Sequence, residues 1–244
     1  MAIKKHLPNA LTCLNLLCGC VALSLIFGYD PQAGNHSSFA ELVSAAYLIG
    51  LAAVADFFDG LVARALHVSS PIGKDLDSLA DMVSFGVVPG AILFKLLQYT
   101  LSAHNLPVSL AYLAFTISIF SALRLAKFNN DTRQTNSFIG LPTPACTLVV
   151  ASLPLILAHD TFGVTNVILS SWLLLGLTFL LSGLLVAEIP LFALKFKNLH
   201  WQDNSLRFLF LLLSLGLLVA FQATAVPGIV LLYVLLSVLR PATS

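Results

Sequence analysis

Residues 53–86 read AVADFFDGLVARALHVSSPIGKDLDSLADMVSFG, and five of the eleven acidic residues of the chain lie within them: Asp56, Asp59, Asp75, Asp77 and Asp81. The residues around these acids are largely apolar. A carboxylate within or at the edge of an apolar span is costly, and it persists only where it faces a bundle interior or a cavity. The stretch divides into helix, turn and helix. One span runs through Asp56 and Asp59 to Arg64, His67-Val-Ser-Ser-Pro71 forms the turn, and a second span starts near Gly73. Asp56 and Asp59 stand at i and i+3 and share a helix face, while Gly73, Asp77 and Asp81 step by four along one stripe. The turn makes the two helices antiparallel neighbours, so four carboxylates converge from two helices at one end of a bundle.

The rest of the chain says what kind of bundle this is. Of its 244 residues, 58% are apolar and 9% are charged, with a mean hydropathy of +0.94. A soluble domain of this length would carry roughly 60 charged residues. A soluble enzyme and a disordered tail are therefore excluded. With 12 basic against 11 acidic residues, there is no basic excess to meet a nucleic acid either. The composition is that of an all-α polytopic membrane protein whose solvent is the lipid bilayer. Eight stretches are long enough to cross it: about 9–28, 41–63, 76–98, 108–126, 143–159, 166–187, 207–222 and 225–239. The last two are short and joined by a tight Ala-Val-Pro-Gly connection.

With the N-terminus inside, Lys4, Lys5, Arg64, Lys74, Arg124, Lys127, Arg133, Lys195, Lys197, Arg207 and Arg240 all fall on the inner side, and Lys95 is the exception. That asymmetry is the positive-inside pattern, and it supports an even number of spans. Asn9, Thr12 and Asn15 interrupt the first apolar run at three-residue steps, which favours a retained first span over a cleaved signal sequence. The polar stretch 128–142 reads as a loop. Cys13, Cys18, Cys20 and Cys146 lack the paired spacing of a metal or disulfide framework and read as small packing residues.

Four converging carboxylates without local cations repel one another. The simplest compensation is divalent metal, and all-oxygen ligation suits Mg²⁺ or Mn²⁺. Two ions can share four carboxylates and complete their shells with substrate phosphates. Gly60 and Gly73 leave room beside the acids for a diphosphate, and Arg64, one turn from Gly60, is placed for a phosphate or a base. The competing readings are helix-end acids balanced by Arg64 and Lys74, and the ion pathway of a transporter. Against the transporter, the acids cluster at one membrane face and no inverted repeat is present.

These residues spell D-x2-D-G-x2-A-R-x8-G-x3-D-x3-D: Asp56, Asp59, Gly60, Ala63, Arg64, Gly73, Asp77 and Asp81. Eight fixed positions coincide by chance about once in 10⁹ starts at average residue usage. The pattern resembles the signature of the CDP-alcohol phosphatidyltransferases, membrane enzymes that move a phosphatidyl group from a CDP-alcohol to a second alcohol and release CMP. The resemblance implies a six-span core over residues 1–190, with 191–244 supplying an inner connection and two added spans. It implies that Asp56, Asp59, Asp77 and Asp81 hold two metal ions and that Asp81 is also the general base. It implies further that Gly60, Arg64 and Ser70 meet the cytidine nucleotide, and that the protein is a homodimer.

Beyond the signature, residues 7–19, 77–86, 122–129 and 138–145 resemble bacterial type II phosphatidylserine synthases. That implies CDP-diacylglycerol and L-serine as substrates, in a bacterial-type cytoplasmic membrane with the site facing the cytoplasm. Other acceptors remain open: glycerol 3-phosphate, an inositol phosphate or choline. A serine zwitterion needs a cation for its carboxylate and an acid for its ammonium. Arg124 and Lys127 are candidates for the first task, if they are more than topological anchors. Asp75 is a candidate for the second, if it is more than a helix N-terminal acid. Asn9, Thr12 and Asn15 either line the site for CDP-diacylglycerol or act as interhelical hydrogen-bonding glue. Pro142 and Pro144 set the start of the fifth span. No His-x-Lys motif occurs, so attack is expected to be direct, without a phosphohistidine.

Overall fold

The computed structural model describes residues 2–29, 39–68, 70–131, 137–192 and 200–239. Arg133, Lys195, Lys197 and Arg240 lie outside the described residues, as do the side chains of Lys4 and Lys5. Each expected span finds helix. The elements are α1 (Ala2–Gly28), α2 (Ala40–Ala65), α3 (Pro71–Asp81), a π-helical turn (Met82–Val87) and α4 (Val88–Ala103). Next come a 3₁₀ segment (Val108–Phe115) leading into α5 (Thr116–Asn130), then α6 (Thr143–His159), the single turn α7 (Thr165–Ile168), α8 (Ser171–Val186), α9 (Trp201–Phe221) and α10 (Ala225–Leu239). The protein is an integral membrane helical bundle. Large apolar side chains such as Phe27, Trp172 and Val219 face outward, as the lipid-facing side of such a bundle requires.

The contact of α1 with α2 is the most extensive in the molecule. Its cause lies in the residues. Leu42, Ala45, Ile49, Ala52 and Ala55 of α2 are all buried, at steps of three and four that make one stripe. Small residues on such a stripe let two backbones approach closely, which is how helices associate where lipid removes the hydrophobic drive. Asp56 and Asp59 continue the stripe at the C-terminal end of α2, where Asp59 accepts a hydrogen bond from Thr12 of α1. Gly19 serves the same purpose on the other side of α1. A Cβ there would collide with Ser84 Oγ and stand 3.1 Å from Ser84 Cα. Gly19→Ala should therefore destabilise the protein by about 1–3 kcal/mol, seen as a lower Tm in detergent; an unchanged Tm would mean that this helix pair parts without cost.

The structure corrects several expectations. The second and third spans are not packed neighbours. α1 contacts both α2 and α3, while α2 and α3 barely approach each other. The alanine stripe holds α1 against α2, and α3 lies across the gap that α1 leaves. The sixth span is not continuous, since helix stops at Ile168 and restarts at Ser171, where Ser171 Oγ donates to Thr100 Oγ1 at 3.0 Å. The stretch 128–142 is not all loop. α5 runs to Asn130, and Ser137–Ile139 forms a strand, β1, antiparallel to β2 (Pro190–Phe192). Gly140 leaves β1 at φ +77°, with Leu185 O 2.7 Å from where a Cβ would be, so only glycine fits. Ala-Val-Pro-Gly is the first turn of α10, where proline is tolerated because helix-start N–H groups lack partners anyway. The chain reverses instead over Gln222–Thr224, with Gln222 at φ 51°.

The C-terminal hairpin is anchored through β2. Tyr233 Oη of α10 donates to Phe192 O at 2.8 Å. The rings of Phe192, Phe210 and Tyr233 pack with centroids 4.9–5.8 Å apart. Lys95, the topological exception, donates from Nζ to Tyr29 O at 2.7 Å, at the end of α1 away from the acids. Its ammonium is thereby hydrogen-bonded while its long stem runs along the apolar bundle.

Candidate active site

The site is built by three helices. His67 turns the chain with φ 52°, and Ser70 caps α3, its Oγ accepting from Gly73 N at 3.0 Å. Serine at this position satisfies a helix-start N–H that has no intrahelical partner. Pro71 at the first helical position costs nothing, since its missing N–H is one of those orphans. α3 then carries Asp77 and Asp81 back past the end of α2. Carboxylate oxygens of Asp56, Asp59 and Asp77 all lie within 4.8 Å of one another. Asp81 adjoins them, its carboxyl side to side with that of Asp56. Asp59 is buried and the other three are half-buried.

Among the described residues, the groups that reach these acids from α1 are neutral. Thr12 Oγ1 donates to Asp59 Oδ2 at 2.7 Å, with Pro8 O 3.1 Å away on its other side. Asn15 Nδ2 donates to Asp81 Oδ1 at 3.2 Å. Asn9 lies one turn earlier, its Oδ1 3.1 Å from where a Gly73 Cβ would stand. The three-residue steps of Asn9, Thr12 and Asn15 thus run along the carboxylate cluster. Among the described residues, the cation that acts on the cluster is Arg64, through Asp59, and its guanidinium lies 3.3 Å from where a Gly60 Cβ would be. A single exposed arginine does not balance four acids.

The donor set fits a hard divalent cation. All of its candidate ligands are oxygens, three of them converge to within 4.8 Å of one another, and all-oxygen shells are what such ions take. A second observation agrees. Asn15 Oδ1 is buried beside Asp81 without a hydrogen-bond partner among the described residues, and a buried acceptor left unpaired is costly unless a bound group supplies a donor or a positive charge.

The remaining site residues divide. Arg124 is buried, its Nε donates to Leu141 O at 2.8 Å, and its guanidinium lies 5.6 Å from the Phe128 ring centroid. It is therefore built into the bundle and is more than a surface anchor. Lys127 and Asp75 are exposed, and neither is brought into the carboxylate cluster. Sequence reasoning missed Asn129. Its Nδ2 donates to Ser78 Oγ at 2.8 Å and its carbonyl accepts from Lys74 Nζ at 3.1 Å, which clasps the end of α5 to α3. It also missed Ser84, Ser118 and Thr147, which hold the π turn just after Asp81. Asn129 closes one of the resembling stretches, so a signal existed for it. A lone hydroxyl within an apolar span gives none.

Comparison with known proteins agrees with this geometry. The family model described as CDP-alcohol phosphatidyltransferase matches residues 5–184. A CDP-diacylglycerol–serine O-phosphatidyltransferase of Bacillus subtilis is 34% identical over 171 residues, covering 68% of the chain and 88% of that relative. One from Helicobacter pylori is 30% identical over 237 residues, covering 96% of the chain and 90% of the relative. A relative of the same description from Saccharomyces cerevisiae is 31% identical over 162 residues, 63% of the chain and 55% of its own length.

Proposed function

The chain belongs to the CDP-alcohol phosphatidyltransferase family, and from that premise we propose that it transfers the phosphatidyl group of CDP-diacylglycerol to the hydroxyl of L-serine, giving phosphatidylserine and CMP. The observation that carries the chemistry is the convergence of Asp56, Asp59 and Asp77 with Asp81 at their side. The choice of serine rests on the names of the relatives that match over most of their length.

Asp56, Asp59 and Asp77 would hold Mg²⁺ or Mn²⁺, and Asp81 would reach a second ion. A divalent ion held there would supply positive charge against the diphosphate and the charge that develops on the leaving CMP. The remaining roles belong to the chain. Thr12 fixes the Asp59 carboxylate and Asn15 fixes that of Asp81. Asp81 removes the proton from the serine hydroxyl, whose own pKa lies far above 7, so that its oxygen can attack the phosphatidyl phosphorus. The bond from that phosphorus to the CMP oxygen breaks, and CMP leaves with the electron pair. Gly60, Arg64, Ser70 and Gly73 meet the nucleotide and diphosphate. The Ser70 oxygen accepts from Gly73 N and keeps its own proton to donate. Asn9 extends this lining. Arg124 offers its two terminal nitrogens to the serine carboxylate, while Lys127 and Asp75 act at most on approach, through long-range charge. The site faces the cytoplasm of a bacterial-type inner membrane, the positive-inside asymmetry supports that orientation, and the protein works as a homodimer. Residues 1–190 carry the chemistry and the C-terminal hairpin braces them.

Purified protein is given labelled CDP-diacylglycerol with serine, glycerol 3-phosphate, inositol or choline in parallel. CMP release and lipid product are expected with serine alone, and to vanish when the divalent ion is chelated. Product with another acceptor would move the chain to a different branch of the family. No CMP under Mg²⁺ or Mn²⁺ with any acceptor would sink the reading. Trapping of a phosphatidyl-enzyme adduct would refute direct attack.

A further inference from the structure

The third span contains a break that the proposed transfer chemistry does not use. Over Met82–Val87 the helix widens into a π turn, where Val88 N donates to Val83 O, five residues back. The cause is Pro89. It has no N–H, and in a continuous α-helix its ring would strike the carbonyl four residues earlier, that of Phe85. One extra residue in the turn relieves the clash and loosens the carbonyl ladder. Hydroxyls from two neighbouring helices, and one of its own, then secure it. Thr147 Oγ1 of α6 lies 2.8 Å from Phe85 O, sharing its proton between this carbonyl and Thr143 O at 2.9 Å. Ser118 Oγ of α5 donates to Gly86 O at 2.8 Å. Ser84, within the turn, donates to Asn15 O of α1 at 3.0 Å.

The consequence for the carboxylates is rotational. Successive α-helical residues advance by about 100°, so one inserted residue turns everything before it by about that angle relative to everything after. On its C-terminal side the helix is fixed by packing, since a Cβ on Gly90 would sit 2.5 Å from Ser118 Oγ of α5. On its N-terminal side stand Asp77 and Asp81, facing α1 and α2. We infer that the π turn, held by Thr147 and Ser118, sets the rotational position of Asp77 and Asp81 in the cluster, and that Thr147 and Ser118 are positioning residues for the transfer. A local widening of this kind recurs inside helices at functional sites. The inference rests on the proposed roles of these two aspartates.

The test uses full-length protein in detergent, with three readouts: turnover, thermal unfolding, and Mn²⁺ affinity measured by the paramagnetic resonance of the free ion. Pro89→Ala restores an N–H and lets the turn close into α register. Turnover is expected to fall at least tenfold and Mn²⁺ affinity at least threefold, while Tm holds or rises. Thr147→Val keeps the shape and loses the donor, and it should lower both functional readouts several-fold. Ser118→Ala should move in the same direction. Thr147→Ser should stay within twofold of wild type. Normal turnover and Mn²⁺ affinity in Pro89→Ala, or equal behaviour of Thr147→Val and Thr147→Ser, overturns the inference. If Pro89→Ala does not fold, the two Thr147 variants decide alone. Mn²⁺ affinity is read without turnover, so a wild type that transfers to no acceptor sinks the proposed function and still leaves the variants to decide this one.

Discussion

Asp81→Asn is expected to lower turnover by between about 10² and 10⁴-fold, the usual worth of a general base, while binding of CDP-diacylglycerol stays within a few-fold of wild type. The substitution keeps the shape of the side chain and its place against Asn15 and Asp56. It removes the ability to take a proton, and with it one negative charge. In the proposed reading the nucleotide is held mainly by the Asp56, Asp59 and Asp77 triad and the Gly60–Ser70 surface, whose residues the substitution leaves in place. The measurement is a single-turnover rate beside an equilibrium binding curve for the cytidine lipid. A variant with near-normal rate would take Asp81 out of the base role and leave it as a ligand or a structural partner.

The second large effect is at Asp56, the residue that belongs to the triad and also touches Asp81. Asp56→Ala should lower turnover by at least about 10²–10³-fold, as the loss of one preorganised electrostatic contact does, and should weaken Mn²⁺ binding. Its effect on stability should change sign with metal. Without divalent ions, removing one of four crowded carboxylates relieves repulsion, so the variant should melt above wild type. With the ion in excess, wild type gains stability from binding and the variant gains less, so the order reverses. Thermal unfolding with and without Mg²⁺ reads both signs at once. If the variant melts below wild type under chelation, the carboxylates are not mutually repelling and the metal-centre assignment fails. Asp75→Asn, at an exposed position outside the cluster, is the matched control and should behave as wild type.

The four aspartates are legible in the sequence, because charge within an apolar chain is too costly to be placed idly. Asn9, Thr12 and Asn15 are half legible. Their three-residue spacing announces a polar face, but only the packing of α1 between α2 and α3 shows that this face meets the carboxylates. Helix adjacency misleads because a short turn between helices suggests direct packing, whereas the alanine stripe of α2 packs against α1. The Ala-Val-Pro-Gly segment misleads because proline is as much at home in a first helical turn as in a reversal. The π turn stays hidden because a hydropathy window averages over it, although Gly86-Val-Val-Pro89-Gly90 contains its cause.

The third span, α3 through α4, runs 33 residues from Pro71 to Ala103. As continuous helix that is about 50 Å, against a hydrocarbon layer of about 30 Å. Counting inward from Ala103, Asp81 comes after roughly 22 residues, or about 33 Å. If Ala103 marks the outer boundary, Asp81 stands where the inner hydrocarbon ends, and Asp77 stands about one turn beyond it, among the headgroups. A lipid carrying a nucleotide presents its diphosphate at that same height while its acyl tails stay in oil, and a small polar alcohol arrives there from water. The excess helix thus works as a depth gauge: it carries the acids to the one level at which both substrates can meet without either leaving its own solvent.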